Sequence, residues 1–179
     1  MNVDLETIIA EEGDALDFVD ESTGYRCAMR RNQMKAWCGY VQVPPSHPWH
    51  GKSYNDQVPV PAEVLERPVS MDELGVMNVF CASVISTPEE GLYAPALLVR
   101  CHGGLTYSGH PWWDKADQTS WWFGFDCNHA GDITPAYPQT WGEDDVYRDV
   151  AYVKSALAKA CADLSLFDRV DAPVTGEAA

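Results

Sequence analysis

Side chains able to bind a cation, a phosphate or a flat ring concentrate in two stretches of the chain. The first is Arg100-Cys-His-Gly-Gly-Leu-Thr-Tyr-Ser-Gly109, and the second is Ser120-Trp-Trp-Phe-Gly-Phe-Asp-Cys-Asn-His-Ala-Gly-Asp132. Asp126, His129 and Asp132 recur along a glycine-bearing loop, and with His102 they make a quartet of hard and borderline donors suited to a divalent metal. Their spacing matches no defined zinc or calcium motif. Cys127 adds a thiol, but strand alternation points it away from Asp126. In the structural alternative, Asp126 and Asp132 satisfy turn amides while His129 bonds to the backbone.

His102, Gly103, Gly104, Thr106 and Tyr107 offer backbone amides beside hydroxyls, the ingredients of a phosphate-binding loop. The run has neither the P-loop pattern nor a dinucleotide-binding glycine pattern, so an ATPase or a dinucleotide fold is not supported. Adjacent glycines also occur in simple bulges. Trp112 and Trp113 fall in an expected loop, as do His47, Trp49 and His50 in a proline-rich stretch, and exposed aromatics can stack on a nucleobase. The stretch with Trp49 suits an ordered loop packed on a sheet equally well. No nucleophile elbow and no Cys-His pairing appears, which speaks against serine and cysteine hydrolases.

Positioning these residues requires a sheet. Trp121, Phe123 and Phe125 alternate with Trp122, Gly124 and Asp126, and Leu97, Val99 and Cys101 alternate with Leu98, Arg100 and His102. An antiparallel hairpin with Tyr107 opposite Thr119 sets Arg100 opposite Asp126 and His102 opposite Gly124. Arg100, His102 and Asp126 then share a face, beside a glycine that leaves room for a ligand. Two further strands are expected over Tyr25 to Met29 and Lys35 to Val43, turning at Arg30 to Gln33, and a buried strand over Val76 to Ile85. Helical spacing is expected over residues 4–19, interrupted by Gly13. Ser70 to Glu73 resembles a capping box for a brief helix, and Thr140 to Glu143 a capping box for a long one carrying Val146, Val150, Val153, Leu157, Cys161 and Leu164. The class is therefore α+β: a mainly antiparallel sheet with an N-terminal helix and a long C-terminal amphipathic helix.

Length bounds this to one domain over residues 1–170, followed by a flexible acidic tail at 171–179. Twelve Lys plus Arg against 27 Asp plus Glu give a net charge of −15, which repels nucleic acid and anionic lipid, so an anionic ligand needs a local cation. Solubility alone also accounts for such a charge. The six cysteines lack a Cys-x-x-Cys pair and sit in apolar runs, as buried thiols in a reducing compartment do. The acidic N-terminus is unlike a leader, and no apolar run is long enough to span a bilayer. A soluble intracellular protein is expected.

Trp37-Cys-Gly-Tyr-Val-Gln-Val-Pro44, His47-Pro-Trp-His-Gly51, His102-Gly-Gly-Leu-Thr-Tyr107, Trp121 to Asp132 and Tyr147-Arg-Asp-Val-Ala-Tyr-Val153 together resemble a group of small proteins of unassigned function in tailed-bacteriophage genomes. The resemblance implies expression in a bacterial host cytoplasm and carries over no activity and no site residues.

Three functions are compatible with these residues. In the first, a phage counter-defence protein binds and sequesters a nucleotide-type signal of host immunity, using the loop aromatics, Gly103, Gly104 and the face of Arg100, His102 and Asp126. In the second, His102, Asp126, His129 and Asp132 hold a divalent metal that hydrolyses a nucleotide or phosphoester. In the third, the acidic chain mimics nucleic acid and inhibits a protein. Binding ranks slightly above hydrolysis, because stacking needs only aromatics and glycine. The expected partner is a small nucleotide-type molecule, with no nucleic acid and no membrane; a homo-oligomer stays open.

Overall fold

Period-two alternation builds the centre of the molecule. In the computed structural model, which describes residues 5–65 and 71–168, β1 (Ala15–Val19), β2 (Arg26–Arg31) and β3 (Trp37–Val43) form a meander. The sheet continues through β7 (Trp121–Asp126) to β6 (Tyr107–Gly109), giving five antiparallel strands in the order β1-β2-β3-β7-β6. β4 (Val58–Pro59) and β5 (Leu92–Tyr93) make a small separate pair. Between these lie α1 (Leu5–Glu12), α2 (Ala62–Leu65), α3 (Met71–Leu74), α4 (Val76–Ile85) and the long α5 (Val150–Ser165). The α+β class holds, with a short N-terminal helix and a long C-terminal helix packed on the sheet.

The two sheet faces carry different work. Trp37, Val41, Val43, Phe123 and Phe125 form one core with Val153, Leu157, Cys161 and Leu164 of α5. Each such side chain withdrawn from water contributes about 1.5–3 kcal/mol. Gly39 lets α5 approach, since a Cβ there would lie 2.7 Å from the Phe125 ring and 3.1 Å from Leu157. On the opposite face, Ala28, Cys38, Tyr40 and Trp122 are covered by Tyr107 and Trp113. A Cβ on Gly124 would lie 2.4 Å from Tyr40, so the space expected beside Gly124 for a ligand is filled by an aromatic ring.

Glu12 fastens the N-terminus to this framework. Its Oε2 accepts from Arg31 Nη2 at 2.9 Å, Trp37 Nε1 at 3.1 Å and the Tyr147 hydroxyl at 2.6 Å, and its Oε1 accepts from Val150 N at 2.9 Å. Arg31 is itself almost wholly buried, with its guanidinium 4.2 Å from the Trp37 ring centre. All six cysteines are free and only Cys81 is exposed.

Several elements depart from expectation. The helical spacing over residues 4–19 ends at Glu12, and residues 15–19 are strand, because Leu16 and Phe18 alternate inward against the sheet. The turn after β2 begins at Asn32, whose Oδ1 accepts from Met34 N and Ala36 N, so Arg30 and Arg31 belong to the strand. Residues 76–85 form a helix, not a strand, and Leu97 ends the 3-10 helix Pro95–Leu97, after which the chain to His102 is irregular. The long helix starts at Asp149, whose Oδ1 accepts from Tyr152 N at 2.8 Å; Thr140 ends a 3-10 turn and donates to Tyr137 O. Ser70 of the first capping box and the tail at 171–179 lie outside the described residues. Among the described residues, no helix is long and apolar enough to cross a membrane.

Candidate functional site

His102 leaves the buried Cys101 and meets α5, while His129 and Asp132 sit on the loop after β7. One ligand atom from each of these three residues lies within 4.8 Å of the other two. Asp132 is the hub, its side chain 1% exposed. Its Oδ1 accepts from Arg148 Nε at 2.7 Å, and its Oδ2 lies 2.6 Å from His102 Nε2, 3.0 Å from the His129 amide and 3.7 Å from His129 Nδ1. His102 Nδ1 is 2.7 Å from the Tyr152 hydroxyl. The Arg148 guanidinium packs 4.6 Å from the Tyr152 ring centre, and the two histidine rings are 5.1 Å apart.

Local backbone explains why the group converges. The His129 amide donates to Asp132 Oδ2 while Asp132 N donates to His129 O, closing the loop on itself. Asp132 also bridges to Val146, which brings Arg148 and the start of α5 alongside. Gly103 adopts φ +67°, and a Cβ there would lie 2.5 Å from the His129 ring, so only glycine lets that ring pack flat on the 103–104 backbone. Asn78 of α4 fixes the same turn through bonds from Nδ2 to Gly103 O and Leu105 O, both 3.0 Å.

Electrostatics hold Asp132 ionised here. Burial of Asp132 raises its pKa, but His102, His129 and Arg148 outweigh this and hold the carboxyl far below the ordinary range. Asp132 in turn raises His129 above the usual histidine value against the effect of burial, with Asp126 adding to the rise. His129 Nδ1 is buried without a hydrogen-bond partner among the described residues. Such an orphan nitrogen is costly unless something pairs with it. At 2.6 Å His102 Nε2 donates to Asp132 Oδ2, and Nδ1 accepts from the Tyr152 hydroxyl, so a metal taking this nitrogen has to displace its proton. The three side chains still converge on one spot.

This spot opens into a cleft of about 700 Å³. His102, His129, Asp132, Arg148 and Tyr152 form its polar wall, and Met71, Val76 and Met77 an apolar one. Gly103 and Thr106 line it too.

The remaining expected site residues go elsewhere. The hairpin register fails: Tyr107 pairs with Gly124, Asp126 sits opposite Cys38, and Arg100 binds Asp163 through its amide, Nε and Nη2. Arg100, His102 and Asp126 therefore do not share a strand face. Asp126 accepts from Thr106 Oγ1 and Asn128 N, a turn-capping role outside the three-donor group. Cys127 is buried in the core. Gly104 packs against the end of α3, where a Cβ would lie 2.1 Å from Leu74 O. His47 and Trp49 are buried; His47 accepts from Trp49 N, its Nε2 faces Leu164 O, and burial lowers its pKa. This is the ordered loop packed on the sheet. His50 Nε2 lies 3.2 Å from Thr119 O. Trp113 packs on Tyr40 and Trp122, and Trp112 donates to the Tyr40 hydroxyl. No tryptophan lines the cleft.

Arg148 and Tyr152 complete the site, and sequence type and spacing assign neither a role, because Arg148 precedes the Asp149 cap and reaches Tyr152 only through the folded helix start. No protein-family model matches the chain, and no curated protein or solved structure is significantly similar to it.

Proposed function

We propose that the protein is a divalent-metal-dependent hydrolase of a nucleotide-type phosphoester, with His102, His129 and Asp132 as the metal ligands. The carrying observation is the convergence of their donor atoms within 4.8 Å in the cleft wall, one of them a buried nitrogen with no hydrogen-bond partner among the described residues and only the Asp132 carboxylate 3.7 Å away. Two imidazoles and a carboxylate suit Zn²⁺ or another borderline first-row ion and leave a position for water on the cleft side. Tetrahedral metal–ligand bonds of about 2.1 Å set donor pairs about 3.4 Å apart, so on binding the 2.6 Å contact of His102 and Asp132 opens and the wider pairs of the group draw together.

The surroundings match a supporting shell. Tyr152 orients His102 through the other ring nitrogen, and Arg148 holds the second Asp132 oxygen, as partners of metal ligands commonly do. Arg148 also supplies the local cation that a phosphate needs to enter a chain of charge −15. A metal held by His102, His129 and Asp132 would supply an acidified water as nucleophile. The water oxygen would bond to phosphorus as the P–O ester bond breaks, and the proton the water loses would end on the departing ester oxygen.

The resemblance to tailed-phage proteins supports an infected cell as the setting, and a nucleotide-type immune signal is then the class to try first. Hydrolysis ranks above sequestration, because the aromatics that motivated stacking lie away from the cleft while the metal donors line it. The test incubates substoichiometric protein with cyclic and ADP-ribose-type nucleotides in Mn²⁺, Zn²⁺ or Mg²⁺, followed by chromatography. Complete consumption that chelator or His129→Ala stops is expected. Recovery of intact nucleotide at one equivalent per chain would replace the enzyme with a binding protein.

A further inference from the structure

Helix α4, Val76-Met-Asn-Val-Phe-Cys-Ala-Ser-Val-Ile85, contains no charged residue. Its inner side is Ala82, Asn78, Val79 and Ile85, which pack toward the body. Its outer side is Val76, Met77, Phe80 and Val84, exposed by 66, 72, 69 and 77%. At 100° per residue these four fall within one quarter to one third of the helix circumference, a continuous apolar stripe. A helix apolar on both sides is normally buried on both sides. The four side chains present on the order of 500 Å² of apolar surface, at the upper end of what a monomer leaves bare.

We infer that this stripe is a self-association surface, on which α4 of one chain packs against α4 of a second copy about a two-fold axis. Two features select a second copy as the occupant, and the stripe itself brings no charge to a contact that the chain's −15 opposes at long range. Phe80 lies midway between Val76 and Val84, so antiparallel pairing sets Phe80 on its counterpart and Val76 on Val84, a self-complementary contact. Two such stripes bury on the order of 1,000 Å², the least that a specific pair needs. Met71, 48% exposed, adjoins the stripe and extends it. Val76 and Met77 also line the cleft, so the second copy borders its mouth. The inference is independent of the metal reading.

Cys81 follows Phe80 on the exposed side, while the other five thiols are buried. A short bis-maleimide can therefore join two copies only near the axis. Sedimentation equilibrium of the full chain at micromolar concentration should give twice the chain mass. Phe80→Asp, at an exposed position that leaves the fold and its circular dichroism unchanged, should weaken association about 30-fold or more, as loss of a central interface aromatic does. Cross-linking should yield a covalent dimer that Cys81→Ser abolishes without altering the sedimenting mass. A monomeric wild type at 100-fold higher concentration, a Phe80→Asp chain that stays dimeric, or a dimer that Cys81 cannot cross-link would each overturn the assignment.

Discussion

Replacing Gly103 with alanine perturbs the proposed metal centre without replacing a ligand. Gly103 has φ +67°, and an alanine Cβ would lie 2.5 Å from Cε1 of His129 and 2.9 Å from Nδ1. Ordinary contact begins near 3.4 Å, so the ring must retreat by about 1 Å, and its side chain, 36% exposed, has an outward path. Metal–ligand bonds tolerate only about 0.2 Å of displacement. Gly103→Ala should therefore lower affinity for Zn²⁺ by about 100-fold in competition with a chromophoric chelator, at the upper end of the losses seen when a ligand's support is removed. The left-handed backbone alone costs about 1–2 kcal/mol. Gly24→Ala supplies the control, since Gly24 has φ +77° and nothing within 4 Å of its added Cβ. Both variants should lose similar stability in urea, and only Gly103→Ala should lose metal. Wild-type metal affinity in Gly103→Ala, or equal loss in Gly24→Ala, would refute the reasoning.

Glu12→Gln should cost about 3 kcal/mol at pH 7, because it strips the nearer and better-buried charge partner from buried Arg31 and leaves only the exposed Asp14 at 3.7 Å. Burial raises the Glu12 pKa, but bonds from Tyr147, Val150 and Trp37 and the Arg31 charge bring it below the ordinary value. A depressed carboxyl stabilises above its unfolded pKa and loses that contribution as pH falls through the folded one, so the gap between wild type and variant should narrow below about pH 4. A gap constant down to pH 2 would contradict the pairing. Asp149→Ala should cost about 1 kcal/mol as a lost helix cap, while Thr140→Ala should stay within about 0.5 kcal/mol in the same urea titration.

Strand alternation was legible where it ran long: Trp37 to Val43 and Trp121 to Asp126 sit as their patterns require, with Val41 and Phe123 under α5 and Tyr40 and Trp122 behind. Short or mixed patterns were not. Leu16 and Val19 continue the helical spacing of Leu5, Ile8 and Ile9, and only the left-handed Gly13 separates the two elements. Residues 76–85 have the β-branched content of a strand, yet the helix is stabilised by what it touches, with Asn78 holding Gly103 and Leu105 and Ala82 fully buried. Alternation over Leu97 to His102 suggested a hairpin, but Arg100 is claimed by Asp163 of α5, a partner distant in sequence. The site was half legible for the same reason. His102, His129 and Asp132 announce themselves by type, whereas their separation from Asp126 depends on the turn after β7.

The central claim is that His102, His129 and Asp132 bind one metal ion at the cleft. Titration of the full chain with Co²⁺, followed by visible absorption, tests it most directly, because nitrogen ligation at low coordination number gives bands that the hydrated ion lacks. One equivalent of such bands for wild type, absent in His102→Ala and His129→Ala variants that remain folded, is the predicted result. The spectrum of hydrated Co²⁺ at every ratio, or wild-type bands in both variants, would contradict the account.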